Sequence, residues 1–186
     1  MARLLSIICV VTLLGSCSKV DRNMAKILNY REQLIAANQC SFQAKIVADY
    51  GNRIYDFDLD CIADKNGNLQ FVVLAPDSIS DITGQIHAGG GRLSFDSTVL
   101  AFPLIADGLL SPVSAPWIFL NALRSGYIIS TGATDDGFRL TVNDSYAEDA
   151  LRVDIWMDKQ GAPFFGEIFW KNTRILSLTI ENFCFM

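Results

Sequence analysis

Cys40-Ser41-Phe42-Gln43-Ala44-Lys45-Ile46-Val47-Ala48, the turn Gly51-Asn52, and Tyr55-Asp56-Phe57-Asp58-Leu59-Asp60-Cys61 decide how this chain is read. In the first run Phe42, Ala44, Ile46 and Ala48 alternate with Ser41, Gln43, Lys45 and Val47. In the second, Tyr55, Phe57, Leu59 and Cys61 alternate with Asp56, Asp58 and Asp60. Successive side chains of a strand point to opposite faces, so a period of two is the mark of a strand dry on one side and wet on the other. Two such runs flanking Gly-Asn predict an antiparallel hairpin with one buried face.

Working outward, the same grammar continues downstream. Asp64-Lys65-Asn66-Gly67-Asn68 is a turn, residues 69–74 an apolar strand, and Ala75-Pro76-Asp77 its end. Strand-like pieces follow at 80–86, 92–95 and 99–102, with Gly89-Gly90-Gly91 as a turn between two of them. Five more predicted strands close the chain at 127–131, 138–143, 151–157, 164–170 and 174–183, joined by turns such as Asp135-Asp136-Gly137 and Asp158-Lys159-Gln160-Gly161. Two segments break the pattern. Residues 18–38 place Val20, Met24, Ile27, Leu28, Leu34 and Ile35 at three- and four-residue steps, with Asp21, Arg22, Arg31 and Glu32 early or outward, which predicts an amphipathic helix. In mid-chain, Ser114 is placed as an N-cap, Pro116 sits in the first turn, and Arg124 and Gly126 mark the end of a second helix. Trp117, Ile118, Phe119, Leu120 and Leu123 make that helix apolar nearly all round, so it should be buried or line an apolar space. No linker, repeat or low-complexity tract divides the chain, which reads as one mainly-β domain.

The N-terminus has a different grammar. Met1-Ala2-Arg3 is basic, residues 4–14 are apolar apart from Ser6 and Thr12, and Leu14-Gly15-Ser16-Cys17 follows. A short basic opening, a short apolar run and small residues before a cut are the marks of a secretory signal, and the run is too short for an ordinary membrane span of roughly 20 residues. Leu14-Gly15-Ser16-Cys17 resembles the lipobox of bacterial lipoproteins. That resemblance implies a signal peptide over 1–16, diacylglycerol on the Cys17 sulfur, a further acyl group such as palmitate on the new amine, and a mature domain over 17–186. It also implies export and anchoring to a membrane of the cell envelope, the outer one if there are two, because Ser18 is not an acidic retention residue.

Composition fits an exported globular domain. Of 186 residues 51% are hydrophobic, and the net charge of −5 becomes −6 when Arg3 leaves with the signal. Without a Lys/Arg-rich block, the chain has no charge footprint for nucleic acid, and attachment to a membrane would come from acyl chains. Once Cys9 is cleaved away and Cys17 is lipidated, Cys40, Cys61 and Cys184 remain. Cys40 and Cys61 stand on adjacent predicted strands, so they could be bridged, or all three could be buried thiols behaving as small hydrophobes.

The order of elements resembles the lipoprotein-carrier superfamily, the LolA/LolB-like fold. The residues carrying the likeness are the start Phe42-Gln43-Ala44-Lys45-Ile46, the strand end Leu74-Ala75-Pro76, the Pro116-Trp117 helix, and the closing hairpin from Asp158-Lys159-Gln160-Gly161-Ala162-Pro163-Phe164-Phe165-Gly166-Glu167-Ile168 to Ile175-Leu176-Ser177-Leu178-Thr179-Ile180-Glu181-Asn182-Phe183. The resemblance implies a single antiparallel meander curled into an unclosed barrel, with the two helices covering the concave side. It also implies a non-enzymatic protein that binds a hydrophobic ligand or acyl chain there. The alternative use of the fold is a lipid-anchored scaffold that holds an envelope or spore-cortex protein.

Polar constellations suggest no chemistry. Asp56, Asp58 and Asp60 could bind a hard cation weakly, or simply keep a wet strand face soluble. The Asp64–Asn68 turn opens like a calcium loop but has Leu69 where that loop needs Gly and Ala75 where it needs Glu. His87 is the sole histidine and no Gly-x-Ser-x-Gly elbow is present, so nucleophilic catalysis has no constellation. Gly89-Gly90-Gly91 lacks the Lys-Ser/Thr of a phosphate loop. Neither Glu148-Asp149 nor Asp135-Asp136 resembles a glycosidase pair. No catalytic residue, metal or cofactor is expected. The aromatic residues of the second half are the remainder. Trp117, Phe119, Leu120, Trp156 and Phe169 are the candidate ligand-binding residues, either lining an apolar cleft or forming an ordinary core. Phe164 and Phe165, as neighbours on one strand, are expected to face opposite sides.

Overall fold

The computed structural model describes residues 22–88, 90–95, 98–106, 109–148 and 150–186. Cys17, the signal segment, residues 18–21 of the expected first helix and Gly89 lie outside them. The elements in order are helix α1 (Arg22–Ala36), strands β1 (Gln39–Asp49), β2 (Ile54–Asp64), β3 (Leu69–Ala75), β4 (Thr83–His87), β5 (Gly90–Phe95), β6 (Thr98–Phe102), β7 (Ile105–Ala106) and β8 (Leu109–Leu110), helix α2 (Ala115–Ser125), then β9 (Tyr127–Thr134), β10 (Gly137–Asn143), β11 (Arg152–Asp158), β12 (Pro163–Trp170) and β13 (Thr173–Phe185). Eleven strands form one antiparallel sheet, ordered β6-β5-β4-β3-β2-β1-β13-β12-β11-β10-β9, and β7 with β8 forms a separate pair. The sheet is not closed into a barrel: β6 and β9 are its edges, and the first and last strands meet at its centre.

Alternation sets the two faces. On β1 the residues Cys40, Phe42, Ala44, Ile46 and Ala48 are buried, and on β2 Leu59, Cys61 and Ala63 join them. On β11 and β13 the inner positions are Val153, Ile155, Met157, Leu176, Leu178 and Ile180. Curling brings the sheet onto itself, and glycines let it curl tightly. Gly84 of β4 pairs with Phe71 of β3, and Gly91 of β5 with Phe102 of β6. At both glycines an added Cβ would fall inside the partner's ring, so each ring lies directly on backbone and the sheet bends around it.

Five register slips interrupt the ladders among the described residues, and two of them shift the pattern that strict alternation predicts for aromatic residues. Pairing of β1 with β13 slips between Ser41 and Gln43, where Asn182 takes a left-handed φ of 56° and donates its side-chain amide to Gln43. The slip turns Phe183 and Phe185 inward against Tyr30 and leaves Cys184 exposed. The described cysteines are all free. Cys40 and Cys61 are buried thiols, whereas Cys184 departs from that reading. A second slip, between Trp156 and Met157, leaves Phe164 without a Cα partner on β11. The expected division of Phe164 and Phe165 between opposite faces therefore gives way to a bulge in which both are half-buried.

Helix α1 lies on the sheet through Ile27, Tyr30 and Leu34, while Leu28 and Ile35 are exposed. Arg31, expected to point outward, is half-buried instead. Its guanidinium donates to the carbonyls of Leu123 (2.6 Å), Ala122 (3.2 Å) and Gly126 (2.6 Å). Those carbonyls belong to the last turn of α2 and the residue after it; Ala122 O also accepts from Gly126 N (3.0 Å), and one fixed cationic fork from α1 caps this end of α2.

Candidate functional site

Helix α2 occupies the inner side of the curled sheet. Ala115, Pro116, Ile118, Phe119, Leu120, Ala122 and Leu123 are buried, in agreement with its nearly uniform apolar surface. Its start differs from expectation. Ser114 is helical in backbone and makes no side-chain cap; its hydroxyl donates to Ser111 O (2.6 Å) within a preceding 3₁₀ turn over Pro112–Ser114. Pro116, in the first turn, costs no hydrogen bond there.

Both wings of the sheet hold the helix. Phe119 sits on Gly166 of β12, where an added Cβ would come within 2.6 Å of its ring. On the opposite side Trp117 Nε1 donates to Gly67 O (2.8 Å), and Arg124 donates to Asp64 O (3.1 Å) and Lys65 O (3.4 Å) in the β2–β3 turn. Asp64 makes that turn rigid: Oδ1 accepts from the backbone amides of Asn66 and Asn68, and Oδ2 from the Asn68 side chain. Partial desolvation works against ionisation of Asp64, but these donors and the nearby Arg124 outweigh it and hold the carboxyl below the usual range. Desolvation also pushes the Cys61 and Cys40 thiols up, so neither is a reactive thiolate.

Open space lies at the flank of this helix. A cavity of about 230 Å³ is lined by Ala88, Leu104, Leu110, Trp117, Ile118, Asn121, Asp144 and Leu151. Asp144 is engaged there, since its Oδ1 accepts from Leu151 N (2.9 Å). Leu110 is held in place as its carbonyl accepts from the Tyr50 hydroxyl. On the inner face of the β5–β6 edge, Leu100 is 61% exposed and Leu93 half-buried.

The candidate residues read from sequence are dispersed. Trp117 lines this cavity and, with Leu120, a small crevice against Ala63, Leu69 and Arg124. Phe119 is fully buried on the other side of the same helix. Trp156 and Phe169 sit half-buried on the outer face of the sheet, Trp156 edge-on to Phe165 at 5.2 Å and Phe169 under the Arg152 guanidinium at 4.0 Å. Leu104, Leu110, Asn121 and Leu151 line the cavity without having stood out as site residues in the sequence; the signal for the first three is position in or beside the apolar mid-chain segment, and for Leu151 the start of a predicted strand. Among the described residues no group of three or more His, Cys, Asp and Glu could share a metal ion, and no helix is long and apolar enough to cross a membrane.

The chain matches no protein-family model and no curated protein. It is similar to three solved structures named here. For the Mycobacterium tuberculosis lipoprotein LppX the TM-score is 0.48 at 10% identity, covering 89% of this chain and 96% of that one. For a putative outer membrane lipoprotein-sorting protein domain from Vibrio parahaemolyticus it is 0.47 at 8% identity, covering 87% and 91%. For a LolA superfamily protein from Nitrosomonas europaea it is 0.42 at 9% identity, covering 86% and 93%.

Proposed function

We propose that the chain is a non-enzymatic binding protein, lipid-anchored through Cys17, whose α2 flank takes the end of a hydrophobic chain. The observation that carries this reading is the cavity beside Trp117. Six of its eight lining residues are apolar. Ligand sites are typically apolar with a few placed polar groups, as Asn121 and Asp144 are here. Its size sets a limit. At about 230 Å³ it is smaller than the ~300–1,000 Å³ usual for a whole drug-sized ligand, so it suits the tip of an acyl chain rather than a complete lipid.

Native mass spectrometry after mild extraction, together with titration of a spin-labelled fatty acid followed by methyl NMR, tests this. Broadening of Leu104, Leu110 and Ile118 signals is expected, with loss of binding in Leu104→Glu, a half-buried lining position, and an unaltered circular dichroism melt as the check that this variant is folded. A mass free of acyl species and unaltered methyl spectra would overturn the reading. A second reading, a scaffold for an envelope protein, is favoured by the apolar β5–β6 hairpin, where Phe95 is 55% and Val99 64% exposed. Pull-down from envelope extracts that is lost on Val99→Lys but kept in Leu104→Glu would select it.

A further inference from the structure

The outer face of β2–β6 carries a second feature, separate from the α2 cavity. Two rows of side chains run across the strands in register. One is Ile62–Gln70–Gln85–Arg92, the other Asp60–Val72–Thr83–Ser94–Val99. Between them lies a groove of about 440 Å³, with the backbone of Gly84 and Phe71 at its base.

We propose that this groove binds a short extended peptide with free termini, its carboxylate on Arg92 and its ammonium toward Asp60. Charge placement supports it. Arg92 and Asp60 stand at diagonal ends, three strands apart, and neither has an ion pair among the described residues. Strands are spaced by ~4.8 Å and the two rows by two residues of ~3.4 Å, so the charges are separated by roughly 16 Å across the diagonal, the length of about four to five extended residues. A guanidinium offers a fork that fits a carboxylate bidentately. Between the charges, Gln70 and Gln85 are direct cross-strand partners. Each amide side chain supplies both a donor and an acceptor, which is what a peptide group requires of its neighbour. Ile62, Val72 and Val99 leave small apolar places for methyl-sized side chains. A sugar chain fits less well. The apolar C–H face of a pyranose calls for a flat aromatic surface, and the one aromatic residue at the groove, Phe71, belongs to the inner face and lies beneath Gly84.

The test is calorimetric titration of the purified full chain with tetra-alanine, its C-terminal amide, its N-acetyl derivative and chitotetraose. Tetra-alanine should bind, and amidation or acetylation should each weaken it about tenfold. Arg92→Gln should weaken the free peptide by the same factor while leaving the amidated one unchanged, because the lost partner is then the same. Arg92 is exposed, and an unaltered circular dichroism melt confirms that the variant is folded. No binding of tetra-alanine, equal affinity for capped and free peptides, or preference for chitotetraose would each overturn the proposal. A Leu104→Glu control should bind tetra-alanine normally, which keeps the result independent of the α2 cavity.

Discussion

Arg31 shows how one side chain can tie a fold together. Arg31 reaches from α1 to the end of α2 and donates to the carbonyls of Leu123, Gly126 and Ala122, the last already accepting from Gly126 N. Charged hydrogen bonds of this type, half-shielded from water, are each worth more than neutral ones. We predict that Arg31→Ala lowers stability by about 2–3 kcal/mol in urea unfolding. Arg31→Lys should recover little, because an ammonium cannot span the fork's spread of acceptors; full recovery by Lys would show that charge alone matters. Asp64 gives the second residue-scale prediction. Its carboxyl is held below the ordinary range, so its extra stabilisation is fully present above the unfolded value near ~4 and disappears as pH falls through the lower folded value. Asp64→Asn keeps an acceptor for the Asn66 and Asn68 amides but loses the charge. At neutral pH it should be less stable than the parent by about 0.5–1 kcal/mol, a modest figure because the turn is exposed, and the two melting curves should converge toward pH 2 to 3. A gap that stays constant with pH would remove the charge from the account. Neither role was legible in sequence: Arg31 falls on a helix position that amphipathicity alone assigns outward, and its acceptors are 91 to 95 residues away.

Elements were legible where a repeat of two or three-to-four residues ran uninterrupted, and illegible where the backbone broke the repeat. The hairpin of β1 and β2 follows from Phe42 to Ala48 and Leu59 to Cys61 because each alternate residue is buried. The Asn182 bulge could not be read, since Ile180, Phe183 and Phe185 fit no single period until an extra residue is inserted. The same holds for Phe164. The start of α2 misled for another reason. A Ser before Ala-Pro matches the grammar of a cap, but a 3₁₀ turn already precedes the helix and Ser114 uses its hydroxyl within that turn. Trp117 was found because the helix carried it, whereas Leu104 and Leu110 meet it only through folding. At this scale the seat of α2 on β12 is testable. Gly166 leaves room for the Phe119 ring, and a methyl there would lie 2.6 Å from it and 3.0 Å from Leu178. Gly166→Ala should cost about 1–3 kcal/mol as overpacking. Combined with Phe119→Leu, the loss should be smaller than the sum of the singles, because the shorter side chain vacates the space the methyl needs. Strict additivity in that cycle would mean that the clash is relieved elsewhere.

For the molecule as a whole, the decisive pairing is between its most distant strands. β1 and β13 lie side by side in the middle of eleven strands, so the two wings of the sheet share one seam. Aromatic residues of α1, β1 and β13 converge there. Phe183 stacks on Phe42 at 5.6 Å, Tyr30 of α1 meets both Phe183 and Phe185, and Gln39 exchanges two backbone hydrogen bonds with Met186. The edges are different: along β6, Thr98 to Ala101 are exposed, so substitutions there remove few contacts. This asymmetry yields a prediction. Ending the chain after Asn182 deletes only four residues but removes two aromatic anchors and the terminal ladder bonds, and should cost on the order of 4 kcal/mol, as loss of a large buried side chain does. The double change Val99→Thr with Leu100→Ser alters two exposed apolar residues on the edge and should shift stability by no more than about 0.5 kcal/mol. Urea midpoints compared on one preparation decide it, with the slope checked so that both variants unfold in a single step. If the edge change cost as much as the truncation, the β6 edge would have to be a stability element in its own right. Its exposed leucine would then be more deeply engaged than its 61% exposure implies.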